Sequence, residues 1–273
     1  MEVKAIQSNC LDTLVVVDQI CKRHNLRYYL VGGTMLGAVR HGGFIPWDDD
    51  VDIAMPRADY EKFLRIAPEE LAKDRSLQTY SLGNYPIHFI KVIDNRTAVV
   101  EKSLKHQGLK TGIFIDVFPL DGVPNNRFLR RVHYSRIRLY LHIISGYYYW
   151  DEATKTKYDG PKKHTRLLAR KLTRILPPSV MSKVHRRLEN LLNRYKFEQS
   201  DLVCNYLGAW GTKEIMPRSY FGTGKPTSFE GYSFVGVQEP HLFLRNLYGD
   251  YMELPPIEER ISHHDLEISD LNA

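Results

Sequence analysis

Apolar residues recur every three or four positions near the start of the chain, at Leu11, Leu14, Val15, Val17, Ile20 and Cys21, with polar residues between them. That period predicts an amphipathic helix ending near His24-Asn25. The period then changes. Residues 27–31 are rich in Tyr and Val and read as a strand, and a Gly32-Gly33 turn interrupts them before Thr34, which reads as the N-cap of a helix over MLGAVRH. Gly42-Gly43 and Pro46 mark a loop, after which Val51 to Met55 form a second expected strand closed by Pro56. Residues 57–66 have helical composition, whereas 87–93, 97–101 and 112–118 have the composition of strands. An α/β catalytic half is therefore expected over residues 1–124.

Beyond it the pattern turns helical. Pro177-Pro178 separates helices expected at Thr165 to Leu176 and Val180 to Tyr195, so residues 125–200 read as an added helical subdomain. Residues 201–273 mix short strands around Phe229 to Val237 with a helix from Glu239 to Tyr248, and are expected to pack back on the core. The fold class that follows is α/β (α+β), a mixed sheet flanked by helices.

Composition narrows the class of protein. Hydrophobic residues at 43% and charged residues at 26% match ordinary globular chains and disfavour disorder, collagen and membrane bundles. The three cysteines, Cys10, Cys21 and Cys204, lack CxxC spacing, which argues against a disulfide framework or a zinc site and for a reducing compartment. Asp12 and Asp18 interrupt the first apolar stretch, unlike a secretory signal. The longest apolar run, Leu139 to Trp150, falls short of the roughly 20 residues that a spanning helix needs. A cytoplasmic protein is expected.

Charge is unevenly spread. Residues 127–196 hold 18 Lys and Arg against 4 Asp and Glu, a net of +14 in a chain whose total is +6. Such a block either forms a solvated helical face or meets anionic lipid, a phosphorylated polymer or nucleic acid. With its run RFLRRVHYSRIRLYLH, it is expected to make peripheral contact with an anionic membrane at the inner face of the plasma membrane.

The candidate chemistry lies in GGTMLGAVRHGGFIPWDDDVDIAM, residues 32–55. Asp48, Asp49, Asp50 and Asp52 would repel one another strongly on a folded scaffold unless a cation sat among them. Side chains alternate along a strand, so Asp50 and Asp52 share one face, while Asp48 and Asp49 also suit a turn or cap. Oxygen ligands of this kind fit Mg²⁺ or Mn²⁺ and point to phosphoryl chemistry. Gly32 and Gly33 leave backbone amides open to a phosphate at a helix N-terminus. In GIFIDVFPLDG, Asp116 stands mid-strand among apolar residues, where a carboxylate needs a metal or a base; it is expected as a third metal ligand or as the proton acceptor. Asp121, before Gly122, reads as a turn residue.

These segments resemble the LicD family of the nucleotidyltransferase superfamily, and are similar to the catalytic part of fukutin-related proteins. GGTMLGAVRHGGFIPWDDDVDIAMPRADYEKF resembles the family's leading motif, GIFIDVFPLDG its second, and YGDYMELPP with Arg260 and His263 or His264 its C-terminal signature. Gly32, Gly33, Asp50, Asp52 and Asp116 match the superfamily pattern residue by residue, with a longer gap between glycines and acids that holds Arg40, His41 and Trp47. The basic middle carries no signature. The resemblance implies a nucleotidyltransferase-like core that moves phosphocholine from CDP-choline to a lipid-linked cell-envelope glycan (teichoic acid, lipopolysaccharide or capsule), with release of CMP. It implies Asp50, Asp52 and Asp116 as catalytic and metal-binding residues. Gly32, Gly33, Thr34, Arg40, Trp47 and Lys91 are then the substrate-binding set, Arg40 and Lys91 as clamps on the diphosphate. A quaternary ammonium needs aromatic faces, for which Trp47, Tyr147 to Tyr149, Trp150, Tyr206 and Trp210 are candidates. Two other readings share the same residues: transfer of a nucleoside monophosphate to a small molecule or RNA, and a non-catalytic membrane-surface module.

Overall fold

A computed structural model describes residues 2–101, 104, 107–109, 111–149, 171–261 and 266–270. Helix α1 (Glu2–His24) buries Ile6, Cys10, Leu14, Val17 and Cys21 along one stripe, as its period predicts. Its buried acid Asp18 is satisfied by the Tyr28 hydroxyl at 2.7 Å and by Lys22 at 2.6 Å. Strand β1 (Tyr29–Leu30) leads directly into α2 (Gly32–His41), and β2 (Asp52–Pro56) into α3 (Arg57–Glu70). There follow β3 (Arg75–Gln78), β4 (Ile90–Asp94), β5 (Ala98–Glu101) and β6 (Phe114–Val123). The remaining elements are α4 (Arg127–Tyr148), α5 (Pro178–Leu192), β7 (Leu202–Cys204), β8 (Met216–Pro217), β9 (Lys225–Phe229), β10 (Tyr232–Gly236), α6 (Pro240–Tyr248) and β11 (Leu266–Asp270).

The main sheet runs β3-β4-β6-β2-β1-β10-β9, and β7 and β8 extend it from the far end of β6. It is mixed: β2 pairs in parallel with β6, and β1 with β10, while the remaining pairs are antiparallel. The expected mixed sheet with flanking helices is therefore what forms. β6 is its spine, buried at all ten positions. One apolar core lies between the sheet and α1, α3 and α6, and a second joins α4 and α5 through Ile137, Ile144, Met181, Leu188 and Leu192. The second core includes Val123 and Cys204, so the basic helices pack onto the end of the sheet itself.

Several local expectations need correction. Thr34 is not the N-cap of α2; Val31 holds that position with no side-chain cap, and the glycine pair is the helix's first turn instead of a separate one. Gly32 can start the helix there because its φ is +55°, which a side chain would oppose. Strand β3 had no clear signal, since RSLQ alternates too briefly to be read. Of the helix expected at 165–176, residues 165–170 lie outside the described residues, and 171–174 are helical.

Asp121 is the largest correction. It is no turn residue but a fully buried position in β6, held by both arms of the Arg57 guanidinium at 2.7 and 2.6 Å. It stands five positions after Asp116, an odd offset, so strand alternation sends the two acids to opposite faces of the sheet. Burial pushes the Asp121 carboxyl up and Arg57 draws it back. Removing one partner of a buried pair leaves an uncompensated charge. Arg57→Ala is accordingly expected to lower unfolding free energy by about 3–5 kcal/mol, read from urea denaturation, and Arg57→Met with Asp121→Leu to recover most of it. A loss below about 1 kcal/mol in the single variant would show that the pair does not hold α3 to the sheet.

Candidate active site

Asp52 and Asp116 face each other across the parallel pair of β2 and β6, as Cα partners in register. The backbone N–H of Asp116 donates to Val51 O at 2.9 Å, which locks that register one residue before Asp52. From the other side, the backbone N–H of Asp52 donates to the Thr34 hydroxyl at 2.8 Å, so α2 is tied to the acidic strand. Thr34 thus positions the strand from a buried site and is absent from the cleft wall.

The glycines fit flush against the acids. A Cβ at Gly32 would stand 2.6 Å from Asp52 Oδ2, and one at Gly33 2.6 Å from Asp48 Oδ2. Any side chain there would displace a carboxylate. The result is a cleft of about 260 Å³ lined by Gly32, Gly33, Asp50, Asp52 and Asp116, with Asn205, Trp210, Glu214 and Tyr248 opposite. Asp49 is buried, outside that wall.

Negative charge is concentrated in this cleft. Burial raises the Asp52 carboxyl well above its ordinary range, and Asp50, Asp116, Asp48 and Glu214 raise it further. The Tyr248 phenol is raised by burial and then by Asp52. Behind the strand, burial raises the Cys10 thiol, with Asp50, Asp49, Asp116 and Asp48 adding to it. Hard oxygen donors crowded together on a rigid sheet, with glycine surfaces beside them, have the donor chemistry of a site for a hard divalent cation. Among the described residues, no three or more His, Cys, Asp and Glu side chains are placed so as to hold a metal ion together.

The acid cleft opens into a wider one of about 1030 Å³, with which it shares Gly33, Asp50, Asp52, Trp210 and Tyr248. Arg40, Trp47 and Asp48 line it, and so does the stretch from Asp250 to Pro256. The C-terminal signature YGDYMELPP therefore supplies a cleft wall. Arg40 fastens it, donating from Nη1 to Tyr251 O at 2.8 Å and Glu253 O at 3.2 Å. Arg260 stacks its guanidinium 5.5 Å from the Trp47 ring centre. Lys91, cross-strand from Asp116, turns instead to Glu101 Oε1 at 2.6 Å and lies over the Phe114 ring at 3.2 Å, away from both cleft walls. Of the aromatic candidates, Trp47 and Trp210 line the wide cleft, whereas Tyr206, Tyr147 and Tyr148 pack in the second core and Tyr149 lines a separate groove. Trp150, His263 and His264 lie outside the described residues.

Residues 25–165 match the model of the LicD/FKTN/FKRP nucleotidyltransferase domain. The lipopolysaccharide cholinephosphotransferase LicD of Haemophilus influenzae is 33% identical over 262 residues, 93% of each chain. The chain belongs to the LicD family. Human and mouse ribitol 5-phosphate transferase FKRP are each 46% identical over 44 residues, 16% of this chain and 9% of theirs. Both named activities transfer a phosphorylated group, and this LicD-family chain is an enzyme of the phosphotransferase class.

The far wall of the LicD-family cleft includes Asn205 and Glu214, which carry no legible signal in the sequence, and Tyr248, the first residue of the C-terminal signature. Glu214 sits in a short GTKE turn that resembles any exposed loop in the sequence. Gly208 makes room for it: a Cβ there would stand 2.3 Å from Glu214 Oε1. Burial raises the Glu214 carboxyl from 4.5 to about 7, against a lowering hydrogen bond from the Trp210 backbone. A carboxyl raised on folding holds its proton longer in the native state, so stability falls as pH rises from about 4.5 to about 7. Glu214→Gln is expected to flatten that slope, which amounts to about 3 kcal/mol at most. Chemical denaturation of both forms between these pH values measures it; equal slopes would mean the Glu214 carboxyl ionises normally.

Proposed function

We propose that this protein transfers phosphocholine from CDP-choline to a hydroxyl of a cell-envelope glycan, with lipopolysaccharide the first acceptor to try. The observation that carries the proposal is the in-register placement of Asp52 beside Asp116, with Asp50 and the glycine turn on the same cleft. The likeness to the Haemophilus influenzae enzyme over nearly the whole chain supports the choice of cargo and acceptor.

Asp50 and Asp52 would hold Mg²⁺ or Mn²⁺ with Asp116, leaving the rest of the ligand shell to water and substrate oxygens. When bound, the ion neutralises charge that builds on the phosphate oxygens as the acceptor attacks. The chain's own residues supply the remainder. Gly32 and Gly33 keep the start of α2 bare, so its N-terminal partial positive charge is open to the diphosphate. Asp116, the deepest of the three, completes the ligand set or takes the proton of the attacking hydroxyl. The wide cleft suits a quaternary ammonium: the aromatic residues Trp47, Trp210 and Tyr248 line it, and Asp48, Asp250 and Glu253 supply negative charge around them. Arg40, engaged with the backbone of the C-terminal wall, shapes this pocket and is no diphosphate clamp in this reading.

Asp52→Asn and Asp116→Asn are each expected to reduce CMP release from CDP-choline by at least about 10³-fold. Asp52→Asn should not reduce stability, because it relieves carboxylate repulsion around a buried carboxyl. Mg²⁺ should raise the melting temperature of the unaltered protein and not of Asp52→Asn. Pyrophosphate release from a nucleoside triphosphate, with no CMP from CDP-choline, would replace this reading with nucleotidyl transfer.

A further inference from the structure

Helix α4 is apolar on two opposite sides. One side, with Ile137 and Ile144, is buried against α5. The other carries Phe128, Val132 and Leu139, spaced at four and seven residues and thus on one stripe, at 72%, 41% and 59% exposure. Leu129, 51% exposed, widens the stripe. Arg127, Arg131 and Arg138 flank it on one shoulder by helical geometry and Arg136 on the other, and no acid occurs anywhere in α4. Next to its first turns is a groove of about 560 Å³ lined by Arg127, Arg130, Arg131, Ser135 and Thr212.

From this pattern we infer that the outward face of α4 docks on an anionic bilayer, Phe128, Val132 and Leu139 entering the headgroup boundary and the arginines meeting lipid phosphate. An apolar stripe between guanidinium shoulders suits that interface in particular, because water solvates the charges while the acyl boundary accepts the rings and methyls. A purely electrostatic partner would leave the apolar stripe wet, and a second copy would bring arginines against arginines. No helix among the described residues is long and apolar enough to cross a membrane, so contact through this face is interfacial. The loop that supplies Thr212 to the groove also supplies Trp210 and Glu214 to the acid cleft, which sets that cleft beside the docked surface. The docking stands independently of which group is transferred.

Co-sedimentation of the full chain with vesicles tests it, comparing phosphatidylglycerol-containing with pure phosphatidylcholine vesicles in low and high salt. Binding is expected to the anionic vesicles and to weaken with salt. Phe128→Ser with Leu139→Ser keeps every charge and is expected to weaken binding about tenfold; Arg127→Gln and Arg131→Gln are expected to weaken it about fivefold each. Both serine sites are exposed, and an unchanged melting temperature confirms folding. Failure of the unaltered chain to bind anionic vesicles at low salt overturns the inference. So does full binding by the double serine variant, which would mean adsorption of the basic block without insertion. A dimer in light scattering that this variant dissolves, without vesicle binding, would assign the stripe to a second copy instead.

Discussion

The register of β2 on β6 is the constraint from which the rest of the site follows. Parallel pairing sets Asp52 beside Asp116 at the height of the cleft. A slip of one residue would send one of the two to the opposite face of the sheet. Apolar packing on the side of α1 and α3 forbids that slip, because it would expose Ile53, Val117 and their neighbours. Hydrophobic burial on one face therefore enforces electrostatic crowding on the other.

β6 holds two acids with opposite fates. Asp121 is neutralised within the fold by the two-armed grip of Arg57, and that pair joins α3 to the sheet. Asp116 shares its cleft with Asp50, Asp52 and Glu214. One face of the strand uses charge for architecture, and the other concentrates it for chemistry. Lys91, the cross-strand neighbour of Asp116, pairs with Glu101.

The C-terminal third turns an open acidic edge into an enclosed site. Trp210 and Glu214 arrive from one loop and Tyr248 from α6, and Arg40 anchors the Asp250 to Pro256 wall through backbone carbonyls. Most of these contacts join residues some two hundred positions apart. The same region links the cleft to the arginine groove of α4, so the reaction centre and the basic surface are neighbours in space though remote in sequence.

Local chemistry was legible from residue order alone. The helical period of α1, the acidic strand and Asp116 within an apolar run each express a rule that acts over a few residues, and each is where the sequence puts it. The three-dimensional structure decided what depends on distant partners. Thr34 lost its capping role to a hydrogen bond with Asp52, Asp121 became a buried ion-pair residue because Arg57 reaches it, and Lys91 turned toward Glu101. Glu214, ordinary in its turn, acquired an unusual carboxyl only through burial beside Gly208. Periodicity encodes which face of an element is apolar, but a charge takes its role from whatever the folded chain brings opposite it.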